Sequence, residues 1–362
     1  MDDIATGDTV SEIVLRRSER SAAVGIAEGD APEITHDFHD GGLLYVSQMG
    51  TTAEPNFDPS IVEGENNLSN LYIYEWYYNP AATWEDDYNF RPGTRPPLKW
   101  AEVLARGSVG NAFSLYAMYF PVDHKIRFDV ETDQSTEDNV RKSDIMGAYH
   151  ATSALYSRLR FRLYHLMVYL KVKLYVPVYQ DDEDGNGYSG FEADAFQSAL
   201  LRNAITDFGV EWRANRSSDT DAPLVMQRDV PTRSDIVMYS YPDLEPAVTD
   251  ITVSDYYGTD DIQDRVRVYN FSVIFPGQKF GDNFLRFCLK NTEGTDKYYY
   301  FSASQLKTGA TDFNFTQGTL QELNLYLPRT GNTTILVKAN ILPWIEASTD
   351  MTVIEQPKEA DD

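Results

Sequence analysis

One cysteine, Cys288, stands in a chain of 362 residues. A single thiol forms no disulfide within the chain and excludes the cysteine clusters of structural zinc sites. In the apolar segment FLRFCLK it reads as a small buried hydrophobe. Histidine is also scarce: His36, His39, His124, His150 and His165, none in an HExxH pattern. His36 and His39, in THDFHDGG, would make a metal pair only on a helix, and the glycines that follow indicate a loop. His165 reads as a hydrogen-bonded structural histidine. Apolar runs of the length needed to span a bilayer, about 18 residues, are missing, so no membrane-crossing helix is expected. Arg160, Arg162, Lys171 and Lys173 interrupt the most apolar region. A GxSxG elbow, a P-loop, a GxGxxG after a strand and the kinase signatures are all missing. Carboxylates are abundant, but no pair is singled out for glycoside hydrolysis. No enzymatic activity, catalytic residue or cofactor is therefore expected. Basic residues are few, with 31 Lys plus Arg against 56 Asp plus Glu and a formal net charge of -25. Such a surface repels phosphate backbones and anionic lipid, so nucleic acid is not an expected partner. The start, MDDIATGDTV, has no basic n-region and no apolar h-region. The expectation is that an export signal was removed ahead of it.

What the chain does contain is strand material. Hydrophobic residues make up 42% and aromatic residues 13%, enough to build cores for two domains. Residues 156–179 read YSRLRFRLYHLMVYLKVKLYVPVY. Leu159, Phe161 and Leu163 alternate with polar residues. After a slip at Tyr164 and His165, alternation resumes through Leu166, Val168, Leu170, Val172, Leu174, Val176 and Val178. A period of two buries every second side chain of a strand. A one-residue slip turns the apolar set outward, so this slip requires a bulge, a bend or a jump to a second sheet.

Further strands are expected over residues 43–46, 71–78, 113–120 and 125–130. The series continues over 265–275, 284–289, 298–301, 322–327 and 334–342. Two short helices are expected. One is PLKWAEVLARG, ended by Gly107. The other is residues 195–208, where Phe196, Leu200, Ala204 and Phe208 fall at helical spacing ahead of Gly209. Residues 210–260 read as polar loop. The polar stretch ETDQSTEDNVRKSD places a domain boundary between about 140 and 158, giving a first domain at 1–150 and a second at 151–362. Regularly spaced short strands indicate sandwiches or barrels.

Three features could carry function. In Asp182-Glu183-Asp184-Gly185-Asn186-Gly187, Asp182, Asp184 and Asn186 match the start of a calcium loop. The twelfth position, which should hold a bidentate Glu, is Ala193, so the loop equally reads as a solvated acidic turn. Aromatic clusters such as YIYEWYY and KYYYF read as core or cross-strand pairs, with a sugar-stacking platform as the alternative. Ile13, Val14 and Leu15 form an isolated apolar run in a polar leader, followed by Arg16, Arg17 and Arg20. They read as a strand that is either removable or an ordinary edge.

Three segments, taken in order, resemble the fimbrillin family, the type V pilins and related surface lipoproteins of Gram-negative anaerobes. Residues 143–178 are similar to the family's short motif, strand and long apolar strand. Residues 313–346, FNFTQGTLQELNLYLPRTGNTTILVKANILPWIE, are similar to its closing hairpin and Pro-Trp ending. FRPGTRPPLKWAEV is similar to the aromatic–Pro segment of its first domain. The resemblance implies an all-β chain of two tandem transthyretin-like Greek-key β-sandwich domains with a few short helices. It implies a non-enzymatic protein of the cell surface, outer membrane or pilus: a stalk, tip or anchor subunit that contributes to adhesion. Its partners would be other pilus subunits, joined by β-strand addition, together with a host protein or glycan. In stalk members an Arg-specific cut removes the first strand, and a neighbour's terminal strand fills the groove. Carried onto this chain, the cut falls at Arg16, Arg17 or Arg20, and the exchanged strands are Ile13, Val14 and Leu15 together with Met351, Thr352, Val353 and Ile354. These arginines equally read as solvated surface charges, and no lipobox cysteine is present. A glycan-binding surface lipoprotein is the alternative reading.

Overall fold

The computed structural model describes residues 12–17, 43–48, 56–57, 73–78, 88–92, 113–121, 128–152, 158–178, 191–192, 194–211, 224–241, 247–252, 263–290, 294–306, 314–327 and 336–343. These residues are mostly strand. The first six are β1 (Glu12–Arg17), β2 (Leu43–Gln48), β3 (Asn56–Phe57), β4 (Ile73–Tyr78), β5 (Tyr88–Pro92) and β6 (Phe113–Phe120). A short helix, α1 (Glu137–Arg141), precedes β7 (Met146–Thr152), β8 (Arg158–His165) and β9 (Val168–Pro177). Next come β10 (Phe196–Ile205), β11 (Gly209–Glu211), β12 (Leu224–Met226), β13 (Arg233–Val237), β14 (Tyr239–Ser240) and β15 (Ala247–Thr252). The series ends with β16 (Gln263–Phe275), β17 (Leu285–Lys290), β18 (Asp296–Phe301), β19 (Thr319–Tyr326) and β20 (Leu336–Pro343), with a 3-10 turn at Ala303–Leu306. No described helix is long and apolar enough to cross a membrane.

Pairing sorts the strands into four groups. A closed barrel runs β1-β5-β4-β2-β6-β7-β8. A four-stranded sheet runs β13-β10-β17-β18, and a larger sheet runs β14-β16-β9-β19-β20 with β15 also on β16. The small sheet β12-β11-β3 joins a strand from residues 56–57 to one from residues 209–211.

The phase slip marks a change of sheet. β8 belongs to the barrel and β9 to the larger sheet, and Leu166 and Met167 carry the chain between them at 0% exposure. Both backbones in the crossing are bonded. The Leu166 amide donates to the Ile145 carbonyl at 2.9 Å, and the Gly318 amide donates to the Met167 carbonyl at 2.8 Å. Gly318 sits at φ +68°, and a Cβ there would lie 3.2 Å from the His165 carbonyl oxygen, so this turn needs glycine.

Beyond the crossing, alternation is strict. Val168, Leu170, Val172, Leu174 and Val176 are all buried, with half-buried residues between them. They face a core shared with the four-stranded sheet, which supplies Ala199, Leu201, Ile236, Phe287 and Phe301. The two sheets thus pack over one apolar layer.

The helix expected at residues 195–208 is corrected to β10. Ala199 and Leu201 point into the core with period two. The register then shifts between Leu201 and Ala204, and both Ala204 and Ile205 are buried. The bulge adds a residue, and the combined spacing imitates a helix. Asn203 occupies the bulge at φ 52°, a conformation that Asn tolerates better than most residues. Asp235 Oδ1 accepts the Asn203 amide at 2.9 Å, and Arg233 Nη1 donates to the Asn203 carbonyl at 2.9 Å. The loop expected over residues 210–260 is corrected as well, because β11 to β15 lie within it. These strands are short and partly exposed, as at Val248, Thr249 and Asp250, so they carry little apolar alternation. The helix expected at PLKWAEVLARG lies outside the described residues.

The polar stretch before Ile145 is docked on the second half. The Val237 amide donates to the Thr132 carbonyl at 2.8 Å, and the Gln134 amide donates to the Val237 carbonyl at 3.0 Å. Residues 132–134 thereby cover the outer edge of β13. α1 follows, with the Thr136 hydroxyl accepting the Asn139 amide at its N-cap.

Candidate functional site

The apolar run Ile13, Val14 and Leu15 lies in the middle of β1. The strand is bonded along both edges. Ile13, Val14 and Leu15 pair antiparallel with Phe90, Asn89 and Tyr88 of β5. Residues 12–17 pair parallel with β8, from Glu12 opposite Arg158 to Arg17 opposite Leu163. β1 is therefore an interior strand, not an edge, and its pairing with β5 and β8 closes the barrel. Elsewhere the ring is thinner: β7 and β8 share only the pairs Met146–His165 and Gly147–Tyr164. Taking β1 out would leave the backbone groups of β5 and β8 unpaired along one slot. Arg16 and Arg17 are the last two residues of β1. Arg20, the acidic loop residues Asp182, Asp184 and Asn186, and the tail residues Met351, Thr352, Val353 and Ile354 lie outside the described residues.

His165 is the structural histidine expected from its sequence position. Its Nδ1 lies 2.8 Å from Asp144 Oδ1, with both side chains largely buried at the barrel's end. Cys288 is buried on β17, and burial pushes its thiol up from the ordinary value. Among the described residues no group of three His, Cys, Asp or Glu side chains is placed to hold a metal ion.

The KYYYF cluster divides between two faces of β18. Tyr299 and Phe301 point into the core at 4% and 0% exposure, while Tyr298 and Tyr300 face outward at 45% and 37%. Beside them stand Arg286 and Arg202, each with its guanidinium carbon 5.3 Å from a ring centroid, Arg286 at Tyr298 and Arg202 at Tyr300. The sequence showed the aromatics but not the arginines, which come from two strands far apart in the chain. Only the alternation of strands 285–290 and 196–205 would have set them on one face.

Burial raises the Tyr299 phenol from 10.0 to about 12. The fold holds the neutral phenol, whereas the unfolded chain ionises near the ordinary value. Stability from this group is intact below that value and is lost as pH rises through about 12. Phenolate absorbance followed during alkaline titration should show a late-ionising fraction that includes this tyrosine and appears together with unfolding. Tyr299→Phe should move the alkaline unfolding midpoint upward, and an unchanged midpoint would refute this account.

No family model matches the chain, and no curated protein matches it. Solved structures do. The chain is similar to a candidate cell adhesion protein of Bacteroides uniformis at 12% identity, covering 85% of this chain and 94% of that one, with a TM-score of 0.45. It is similar to a fimbrial protein of Bacteroides vulgatus at 13% identity, covering 85% and 94%, with a TM-score of 0.40. It is also similar to the tip fimbrial protein Mfa3 of Porphyromonas gingivalis, truncated at its C-terminus, at 9% identity, covering 85% and 95%, with a TM-score of 0.40. The solved structures that this chain resembles along most of its length thus include fimbrial and cell adhesion proteins.

Proposed function

We propose that this chain is a structural, non-enzymatic cell-surface protein of the fimbrillin type: a pilus subunit or accessory adhesin that joins its neighbours by exchange of β1. The observation that carries the reading is the two-sided pairing of β1 in a barrel it closes. A strand held on both edges leaves an opening that a second extended segment of similar pattern can fill. Backbone bonds would supply affinity and alternate side chains specificity. Arg16 and Arg17 at its end, and Arg20 just beyond, supply cleavage positions after which β1 has no covalent tie to the next strand. The two domains proposed are tandem and transthyretin-like, an N-terminal one over about 1–150 and a C-terminal one over about 151–362, although β7 and β8 carry the barrel past that boundary to His165. The sequence resemblance of residues 143–178 and 313–346 to the fimbrillin pattern supports the same assignment. In this reading the segment with Met351, Thr352, Val353 and Ile354 is the donated strand, and the protein works at the outer membrane or in the pilus.

The test is trypsin-like cleavage of the folded protein, followed by sizing. Cleavage after Arg17 or Arg20, with release of the leader, should convert monomer to oligomer. A synthetic peptide spanning residues 11–18 should then restore the monomer. Each restored backbone bond contributes about 0.5–1.5 kcal/mol, so several together make the strand worth recapturing. Complete cleavage that leaves a monomer with unchanged melting would rule out strand exchange through β1.

A further inference from the structure

We propose that the outer face of the four-stranded sheet binds a sugar carrying a single carboxylate, such as a uronic acid at the end of an otherwise neutral oligosaccharide. The face is built by cross-strand registration. Leu200, Arg286 and Tyr300 lie in one row across β10, β17 and β18, and Ser198, Cys288 and Tyr298 lie in the next. Arg202 stands one step further along β10, against Tyr300.

Three observations point to the ligand. First, Tyr298 and Tyr300 are exposed and stand two residues apart on one strand, so their backbone positions are about 7 Å apart on the same face. Rings so placed offer apolar faces with polar hydroxyl tips, suited to a surface that is itself part C–H and part hydroxyl. Second, the two guanidiniums lack an acidic partner among the described residues, in a chain of net charge -25. Among the same residues the one hydrogen bond of either is Arg202 Nη1 to the Asn283 carbonyl, at a long 3.4 Å. The Nε atoms of Arg202 and Arg286 are buried and have no partner among the described residues. A carboxylate is the group that a planar guanidinium fork matches in two-point geometry. Held beside the tyrosine rings, these forks are already oriented, which lowers the entropy cost of binding. Third, the opposite edge of this sheet, β13, is covered by residues 132–134, whereas β18 is terminal in its sheet. Tyr298 and Tyr300 therefore stand at the other edge, half exposed.

The charge of the whole chain sets the ligand's class more narrowly. A polyanion, whether nucleic acid or polyuronate, meets the repulsion of an acidic surface. One carboxylate among neutral sugar rings meets the two arginines without it. An acidic peptide could satisfy the guanidiniums but does not need two exposed rings, so it is the competing outcome.

The experiment titrates the full chain with a glucuronate-terminated disaccharide, its methyl ester and a glutamate-rich hexapeptide, read by calorimetry and by ligand-observed NMR. The expected result is binding of the free acid, weakened about tenfold or more in the ester and in Arg286→Gln. Tyr298→Ala should weaken it comparably. Arg286→Lys should recover only part of the loss, because an ammonium lacks the planar fork. Thermal melting of each variant checks that the sheet is intact, and Thr249→Ala on exposed β15 should bind like the parent. The proposal is overturned if the free acid does not bind at millimolar concentration, if ester and acid bind alike, if the variants bind like the parent, or if the peptide alone binds.

Discussion

Phe284→Ala is expected to cost about 3–5 kcal/mol of stability, the range for deleting a buried aromatic ring. Phe284 is 2% exposed at the entry to β17. Its ring centroid lies 5.0 Å from Phe280, 5.5 Å from Phe301 and 5.6 Å from Phe315. Phe275 stands 5.5 Å from both Phe280 and Phe315, so the five rings form one cluster. They come from the end of β16, the turn after it, the residue before β17, the end of β18 and the segment before β19. The cluster therefore joins the larger sheet to the four-stranded sheet. Rings locked among rings cannot relax into the vacated space, which places the cost at the upper part of the range. Denaturant unfolding of the parent, Phe284→Ala and Phe284→Leu decides the matter. Phe284→Leu should lose much less than Phe284→Ala, and a loss under about 1 kcal/mol in Phe284→Ala would show that the cluster does not hold the sheets together.

Gln278→Leu is expected to cost about 2–4 kcal/mol, although it conserves much of the side-chain volume. Gln278 is 2% exposed and its amide behaves as an added piece of backbone. The oxygen accepts the Ile205 amide at 2.8 Å, and the nitrogen donates to the carbonyls of Ile205 and Pro276, each at 3.1 Å. These bonds satisfy β10 just past its bulge, on the edge where its ladder to β17 has ended. A leucine leaves the buried Ile205 N–H without a partner, and the penalty is the full desolvation of that group. Gln278→Glu should be worse, because it keeps an acceptor but buries a charge and removes both donors. Amide exchange at Ile205 provides a local readout: it should quicken in Gln278→Leu before global unfolding. Parent-like exchange and parent-like stability together would dismiss this role. Gln134 makes the same kind of two-point contact with Ile274, at 2.7 and 2.8 Å, and fastens the polar stretch to β16.

Much was legible in the chain because it is local. The alternation of β9 survives intact in its burial, since side-chain period depends only on backbone geometry. The slip at Tyr164 and His165 announced a break for the same reason, and it proved to be a change of sheet. Residues 195–208 misled because a bulge adds one residue to a strand, and the sum of two phases looks like a helix. The short strands β11 to β15 were illegible because short, partly exposed strands carry little apolar pattern.

By itself, then, the sequence determined the β class, the acidic surface, the missing catalytic and metal signatures, and the inward face of β9. All of these follow from composition or from neighbours along the chain. Only the tertiary structure decided that Ile13, Val14 and Leu15 sit between β5 and β8, rather than at an edge. It alone brought Arg202, Arg286, Tyr298 and Tyr300 onto one face. Partner choice and register are pairings between distant residues, set by the combined packing of whole strands, and no local period encodes them.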